Sequence, residues 1–252
     1  MTSMSRRDAL AALAIGGTTA VVAGSSESVF AQASATPAAQ AIPSAYAGKY
    51  EVVPLPFNPA KLNGISEKMI VSHHDNNYAG AVKNLVKVES ELGSVNKDTP
   101  AFLVNGLKER ELTFTNSKVL HEHYFGNLGG NGAPSGTIVD EVKSVYGDWG
   151  RWETEFRQTG AALGGGSGWV ILDYNLHTGT IRTYWSSGHS QSTATGLPLL
   201  VMDMYEHAYQ MDYGAAAAKY VDAFFANVNW DEVNRRVARS RTAAAALRPT
   251  TG

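Results

Sequence analysis

The chain has 252 residues, of which 44% are hydrophobic, and a formal net charge of −2. This composition is typical of a globular protein with a packed core. The small net charge excludes a broad basic field for gripping nucleic acid or an anionic membrane. The absence of cysteine excludes disulfides, iron–sulfur clusters and zinc sites built from thiolates. We therefore predict an ordinary globular protein without a nucleic-acid partner.

The first 33 residues have the pattern of an export signal. Arg6 and Arg7 precede an uncharged Gly/Thr/Ala-rich run over residues 11–24, and Ala-Gln-Ala at residues 31–33 suits signal cleavage. Paired arginines before such a run are typical of the twin-arginine pathway. A general secretory signal is the alternative, and about 14 apolar residues are too few for a membrane helix. We predict export to the periplasm or outside the cell, without stable membrane insertion after cleavage.

Composition and pattern divide the rest of the chain. The Ala/Pro/Ser/Gln-rich segment after the signal indicates a flexible linker, and arginines make the C-terminus locally basic. The predicted units are an export signal (1–33), a linker (34–49), a helical-hairpin domain (50–130), an α/β metal-binding domain (131–240) and a solvated basic tail (241–252).

Two helices are predicted in the N-terminal half. The first begins near residue 65, and its inward positions recur every three or four residues: Met69, His73, Asn77, Ala81, Leu85, Val88 and Leu92. The second covers about 112–128, with Phe114, Ser117, His121, Tyr124, Phe125 and Leu128 on one face. Paired antiparallel, the two helices would each present one imidazole, His73 or His121, to the interior.

The C-terminal half combines short helices with strands. Two helices are predicted within residues 136–163, a β-hairpin within 169–186, an apolar third strand over 198–202, a closing helix over 213–226 and a last helix from residue 228. Helices followed by a small antiparallel sheet indicate an α+β fold: an N-terminal helical hairpin plus a C-terminal domain with a three-stranded antiparallel sheet and flanking helices.

Four polar residues coincide with positions that should be buried. Asp203 and His207 follow the apolar third strand, while His73 and His121 face inward from the two helices. If these four polar side chains were buried without a shared partner, each would cost several kcal/mol, which is the order of magnitude for unpaired buried groups. A shared metal explains all of them, and three imidazoles with one carboxylate suit iron or manganese.

The run Asp203-Met204-Tyr205-Glu206-His207-Ala208-Tyr209 resembles the C-terminal half of the metal site in iron/manganese superoxide dismutases. Further motifs resemble that family in order, over roughly residues 50–240: Leu55-Pro56-Phe57, Ser72-His73-His74-Asp75-Asn76-Asn77-Tyr78, Leu120-His121-Glu122-His123-Tyr124-Phe125, Gly166-Ser167-Gly168-Trp169 and Val228-Asn229-Trp230. The resemblance implies dismutation of superoxide, a small anion, by one iron or manganese ion per subunit. It also implies the metal ligands His73, His121, Asp203 and His207.

The same resemblance implies a homodimer or a tetramer built from dimers. In the family, the glutamate at the position of Glu206 hydrogen-bonds the ligand histidine of the other subunit, so Glu206 would orient His207 of the partner subunit. Gln210 is placed at the same interface.

Several positions depart from the family pattern. Asn77 and Ala81 stand where most members carry a second histidine and a tyrosine that form a gateway to the metal. Gln210 replaces the tyrosine that bonds that histidine, so a contact between Asn77 and Gln210, within or across subunits, is expected instead. Tyr205 replaces the usual tryptophan, and Phe125 stands where another is common. Asn77, Tyr205 and Trp169 are our candidate catalytic residues around the metal.

The family tunes its metal-bound water with a glutamine, and none lies on the second helix near His121. The loop before the third strand offers His189, and some family members carry a histidine there. Gln191 is the alternative, and a further interpretation is that His189 is only a polar loop residue. His74 and His123 should point away from the site or be satisfied elsewhere, and His177 should be solvated in the hairpin turn.

Two other functions are compatible with these residues. Three histidines and an open position also suit a zinc hydrolase. The missing gateway residues suit a non-catalytic metal-binding protein on a dismutase scaffold. We rank both below the dismutase because the ligand set is intact.

Overall fold

The computed structural model describes residues 43–247, which all lie in one compact unit. The predicted export signal and most of the linker lie outside these residues. The helices are α1 (Glu67–Ser72), α2 (Ala79–Gly93), α3 (Ala101–Gly126), α4 (Thr137–Tyr146), α5 (Trp149–Leu163), α6 (Gln210–Tyr213), α7 (Ala217–Ala226) and α8 (Trp230–Leu247). The strands are β1 (Trp169–Asn175), β2 (Thr180–Ser186) and β3 (Gly196–Asp203). Within this part of the chain, no helix combines the length and apolar character that crossing a membrane requires.

The first predicted helix is interrupted where it carries its histidine. Ser66 caps α1 by accepting a hydrogen bond from the backbone N–H of Met69 (3.1 Å). The residues His73–Tyr78 then form a π-helical turn before α2 continues. Such a turn inserts an extra residue into the helical repeat. The next buried position after His73 and His74 is therefore Tyr78 rather than Asn77. The prediction that Asn77 lies on the inward stripe is therefore wrong; Asn77 is only partly buried.

Helix α3 begins at Ala101, well before the predicted start near residue 112. Its first turn exposes Phe102 and Leu103 to solvent. Apolar residues are therefore not confined to one face there, and the periodic signal that marks a helix is lost. Further along, α3 buries His121 and packs against α2. The predicted pairing of the two helices is confirmed.

The sheet has the strand order β2-β1-β3, with both pairs antiparallel, as predicted. Its register pairs Trp169 at the start of β1 with Asp203 at the end of β3 and with Ser186 at the end of β2. Gly168 precedes β1 with φ of 146°, and a Cβ there would lie 2.1 Å from the carbonyl oxygen of Ser186. Only glycine allows this close approach, which gathers three chain segments at one end of the sheet.

The C-terminal helices differ in detail from the prediction. The closing helix is split into the short α6 and a longer α7 that begins at Ala217, rather than one helix from residue 213. Helix α8 continues to Leu247, so the described part of the predicted basic tail is helical. Arg236 is buried in α8 and donates to the backbone oxygens of Leu199 and His123 (2.9 and 3.1 Å). This guanidinium joins α8 to β3 and α3.

Candidate metal centre

His73 and His121 enter the site from the two helices of the hairpin. Both side chains are almost completely buried, with ring centroids 5.0 Å apart. The Nδ1–H of His121 donates to the carbonyl oxygen of Ser117, one turn earlier in α3 (2.7 Å). That bond leaves the Nε2 lone pair of His121 free to bind a metal, an arrangement typical of ligand histidines.

Asp203 and His207 come from the end of β3 and the turn that follows. Asp203 is completely buried, and its Oδ1 accepts the backbone N–H of Tyr205 (2.8 Å). A single 3-10 turn, Glu206–Ala208, then brings His207 back toward the carboxylate. The site therefore depends on the end of the sheet where Asp203 pairs with Trp169.

The four predicted ligands meet around one point. One potential ligand atom from each of His73, His121, Asp203 and His207 lies within 4.8 Å of the others. The Nε2 atoms of His73, His207 and His121 are 3.1, 3.2 and 3.6 Å from Asp203 Oδ2. Within the described residues, the buried Nε2 atoms of His73 and His121 make no hydrogen bond. Because unpaired buried nitrogens are costly, this donor set fits a metal ion.

The protonation states also favour a metal. Burial lowers the pKa of His73, and it lowers the pKa of His121 to about 3 together with the neighbouring His73. Burial alone would raise the pKa of Asp203, but the imidazoles of His207 and His73 outweigh it, so the pKa lies below its usual range. Neutral His73 and His121 beside an ionised Asp203 offer lone pairs to a cation without first losing protons.

Two buried tyrosine hydroxyl groups stabilise the backbone at Asp203. The hydroxyl of Tyr220 donates to the carbonyl oxygen of Asp203 (2.7 Å) and lies 3.2 Å from the hydroxyl of Tyr124. Both tyrosines are fully buried, and burial raises the pKa of each. They remain protonated and fix the backbone at the end of β3.

His189 lies beside the cluster. The indole N–H of Trp169 donates to His189 Nδ1 (3.0 Å), so the proton of a neutral His189 is on Nε2. The ring of Tyr205 lies nearly parallel to the rings of His189 (centroids 4.8 Å apart) and His207 (5.3 Å). His189 is 6.1 Å from His121 between ring centroids. Tyr205, Trp169 and His189 thus form one aromatic group against the ligands.

Gln191, the alternative to His189, is engaged within its own loop. Its side-chain oxygen accepts the backbone N–H of Ser187 (2.7 Å) and the hydroxyl of Ser187 (3.1 Å). Gln191 therefore stabilises its own loop, and His189 is the side chain of this loop that contacts Trp169 and Tyr205.

Of the remaining predicted positions, Asn77, Glu206 and Gln210 are at least partly exposed and Ala81 is not. Glu206 and Gln210 are exposed in the single chain, and within the described residues Asn77 and Gln210 form no hydrogen bond with each other. Ala81 is buried. The expected contact between Asn77 and Gln210 is therefore not a hydrogen bond within one chain, and a contact across subunits stays a prediction.

The three other histidines lie outside the cluster. His74 is buried, not on an outer face; its ring nitrogens face Asp75 Oδ1 (2.7 Å) and the carbonyl oxygen of Val53 (2.8 Å). His123 bonds the carbonyl oxygen of Val119 (2.8 Å), and burial, assisted by Arg236, lowers its pKa to about 4. His177 is exposed. The first two are satisfied by hydrogen bonds, as the prediction allowed.

Sequence reasoning missed two residues that support the site. Ser117 holds His121 through its backbone oxygen, and Asn116 donates to the carbonyl oxygen of His189 (2.7 Å). The first could have been found, because a helical histidine commonly reaches the carbonyl four residues earlier. The second joins residues 73 positions apart, and no local pattern predicts it.

Comparisons with known proteins agree with this geometry. Residues 134–236 match the family model for iron/manganese superoxide dismutases, C-terminal domain. The chain is 48% identical to the iron superoxide dismutase of Cupriavidus metallidurans, over 75% of this chain and 96% of that protein. It is 34% identical to the iron enzyme of Aquifex aeolicus (76% and 93% covered) and 32% identical to manganese superoxide dismutase 1 of Halobacterium salinarum (75% and 94%). The chain belongs to the iron/manganese superoxide dismutase family.

Proposed function

We propose that the protein is a superoxide dismutase that uses one iron or manganese ion per subunit. Two superoxide anions and two protons become one dioxygen and one hydrogen peroxide, so electrons and charge balance. The observation that carries this proposal is the cluster of His73, His121, Asp203 and His207, whose ligand atoms lie within 4.8 Å of one another. Relatives named for iron and for manganese both match the chain, and both metals suit this ligand set.

In this reaction the protein's residues set the net charge of the metal site and limit its access to water. When bound, the ion supplies a one-electron couple that takes an electron from one superoxide and gives it to another. Asp203 contributes one negative charge against three neutral imidazoles, so the ligand set leaves a cationic centre that attracts an anion. Burial of His73, His121 and Asp203 limits bulk water around the ligands.

We assign the tuning role to His189 rather than to Gln191. The Trp169 bond leaves the His189 proton on Nε2, so His189 can donate a hydrogen bond from that atom. Tyr205 stacks on both His189 and His207, which restrains the two rings together. Small changes in such outer groups alter the potential and proton affinity of a metal site.

The test is superoxide decay by stopped flow, normalised to the iron and manganese content of the same purified protein. We expect decay that scales with one of the two metals. Metal bound without decay would contradict the proposal and favour a metal-holding protein. Hydrolysis with zinc and indifference to superoxide would favour the hydrolase.

We also propose a dimer in which Glu206 orients His207 of the partner subunit. Glu206 is exposed in the single chain, directly before the ligand His207, and a two-fold interface would bring identical surfaces together. Light scattering after gel filtration should give at least twice the mass of one chain. Glu206→Ala should weaken the dimer and reduce metal occupancy, whereas a monomeric, fully active parent protein would contradict this role.

Export is proposed from the N-terminal signal alone. Arg6, Arg7 and the cleavage pattern at residues 31–33 carry this inference. Cell fractionation should find the mature protein outside the cytoplasm, and the double substitution Arg6→Lys with Arg7→Lys should retain it inside. Export of that variant at the parent level would instead indicate the general secretory route.

A further inference from the structure

The loop between β2 and β3, residues 187–195, carries His189, and side-chain hydrogen bonds hold its first half in place. Two of these bonds act on Ser187: the hydroxyl of Ser167 donates to its carbonyl oxygen (3.0 Å), and Gln191 accepts its N–H (2.7 Å). A third bond acts on the histidine itself, since Asn116 Nδ2 donates to the carbonyl oxygen of His189 (2.7 Å).

We propose that Asn116 is a positioning residue, which fixes His189 relative to the ligand His121 by bonding the loop to the helix that carries that ligand. This inference rests on the role proposed above for His189. Asn116 lies in α3, little more than one turn before His121. The two groups that must keep a constant separation are thereby attached to one rigid element.

A cavity beside the loop explains why such an attachment matters. It has a volume of about 190 Å³, and its polar lining residues are Asn116, Asp173, Gln191, Ser192 and Thr193. A loop with free space beside it can shift, because no packed side chains resist the movement. The ring of His189 has its own contacts with Trp169 and Tyr205, but its backbone is held toward α3 through Asn116.

The experiment compares holoenzymes with Asn116→Leu, which keeps the side-chain shape without the N–H donor, and Asn116→Asp, which places an acceptor against the carbonyl. Thr113→Val is the matched control. Thr113 lies one turn earlier in α3 and bonds only the backbone oxygen of Glu109 among the described residues (2.9 Å). His189→Ala serves as the reference for complete loss of the tuning group. Each protein is assayed for turnover per metal, the pH profile of turnover and the visible absorption spectrum of the oxidised metal.

Both Asn116 variants should retain metal and show a roughly three- to tenfold loss of turnover, smaller than the 10–100-fold typical of a direct outer-shell partner. Their spectrum and pH profile should change in the same direction as those of His189→Ala, while Thr113→Val matches the parent. A normal spectrum and pH profile in both Asn116 variants, with His189→Ala altered, would overturn the positioning role alone. An unaltered His189→Ala would overturn the assignment of His189 itself.

If Asn116→Leu folds poorly, Asn116→Asp decides the result together with the thermal unfolding midpoint. A loss of stability with unchanged spectrum and pH profile in the folded fraction would show a merely structural bond and overturn the proposal.

Discussion

The ligand cluster and the loop over residues 187–195 are neighbours, but they are held in place in different ways. Ligands His73 and His121 project from helices, and Asp203 is the last residue of β3, where it pairs with Trp169 of the central strand β1. His189 lies on a loop held by individual hydrogen bonds from Trp169 and Asn116. Three of the four metal ligands are thus placed by helices or by a strand, with His207 in the adjoining turn, whereas the proposed tuning group depends on side-chain contacts that can change independently.

The largest expected effect comes from removing the shared ligand of the cluster. Asp203→Asn keeps the shape but loses the negative charge that faces all three imidazoles. Metal content and turnover should fall by more than the roughly 10–100-fold that is typical of outer-shell partners. Metal analysis and stopped flow measure both quantities. His177→Ala, at an exposed histidine in the hairpin turn, is the control, and full metal retention by Asp203→Asn would refute the ligand assignment.

An intermediate effect should separate the two candidates in the loop. His189→Ala should keep the metal and lower turnover roughly 10–100-fold, as for other outer-shell groups. Gln191→Ala should lower turnover far less, because Gln191 bonds only Ser186 and Ser187 within the described chain. Turnover per metal at several pH values checks this order. The reverse order would assign the tuning role to Gln191.

The smallest effect concerns stability next to the same loop. Asp173 is buried in β1 with one oxygen unpaired, and burial raises its pKa to about 6, although a hydrogen bond with Thr193 partly opposes this. A raised carboxyl pKa contributes stability that is fully present below the unfolded value of 3.8 and is lost as the pH rises through about 6. Asp173→Asn should therefore gain about 2 kcal/mol over the parent between pH 4 and pH 8.

Denaturant unfolding of both proteins at these pH values measures the gain. Asp98→Asn, in an exposed ion pair with Lys97, is the control and should show no comparable gain. A difference between Asp173→Asn and the parent that does not vary with pH would show that Asp173 is ionised in the folded protein throughout this range.

The sequence predicts most of this architecture because the signals are local. Helical periodicity predicted the hairpin of helices and the inward direction of His73 and His121, and apolar runs bounded by turn residues predicted the three strands. Coincidence of four polar residues with buried positions predicted the cluster, which the geometry reproduces. These features depend on spacing within one element or between adjacent ones.

What the sequence did not predict depends on local backbone irregularity or on distant contacts. The π-helical turn at His73–Tyr78 moves Asn77 off the buried face, and a regular repeat cannot anticipate the inserted residue. The start of α3 is hidden by exposed apolar residues. The bond from Asn116 to His189 joins two elements that only the folded chain brings together.

The most direct test of the central claim is a titration of metal-free protein with Fe²⁺ or Mn²⁺, followed by superoxide decay at each addition. The four-ligand cluster predicts activity that rises linearly with one of these metals and levels off at one ion per subunit, with no rise in Asp203→Asn. Activity that is absent at one bound ion, or that reaches the parent level in Asp203→Asn, would contradict the account.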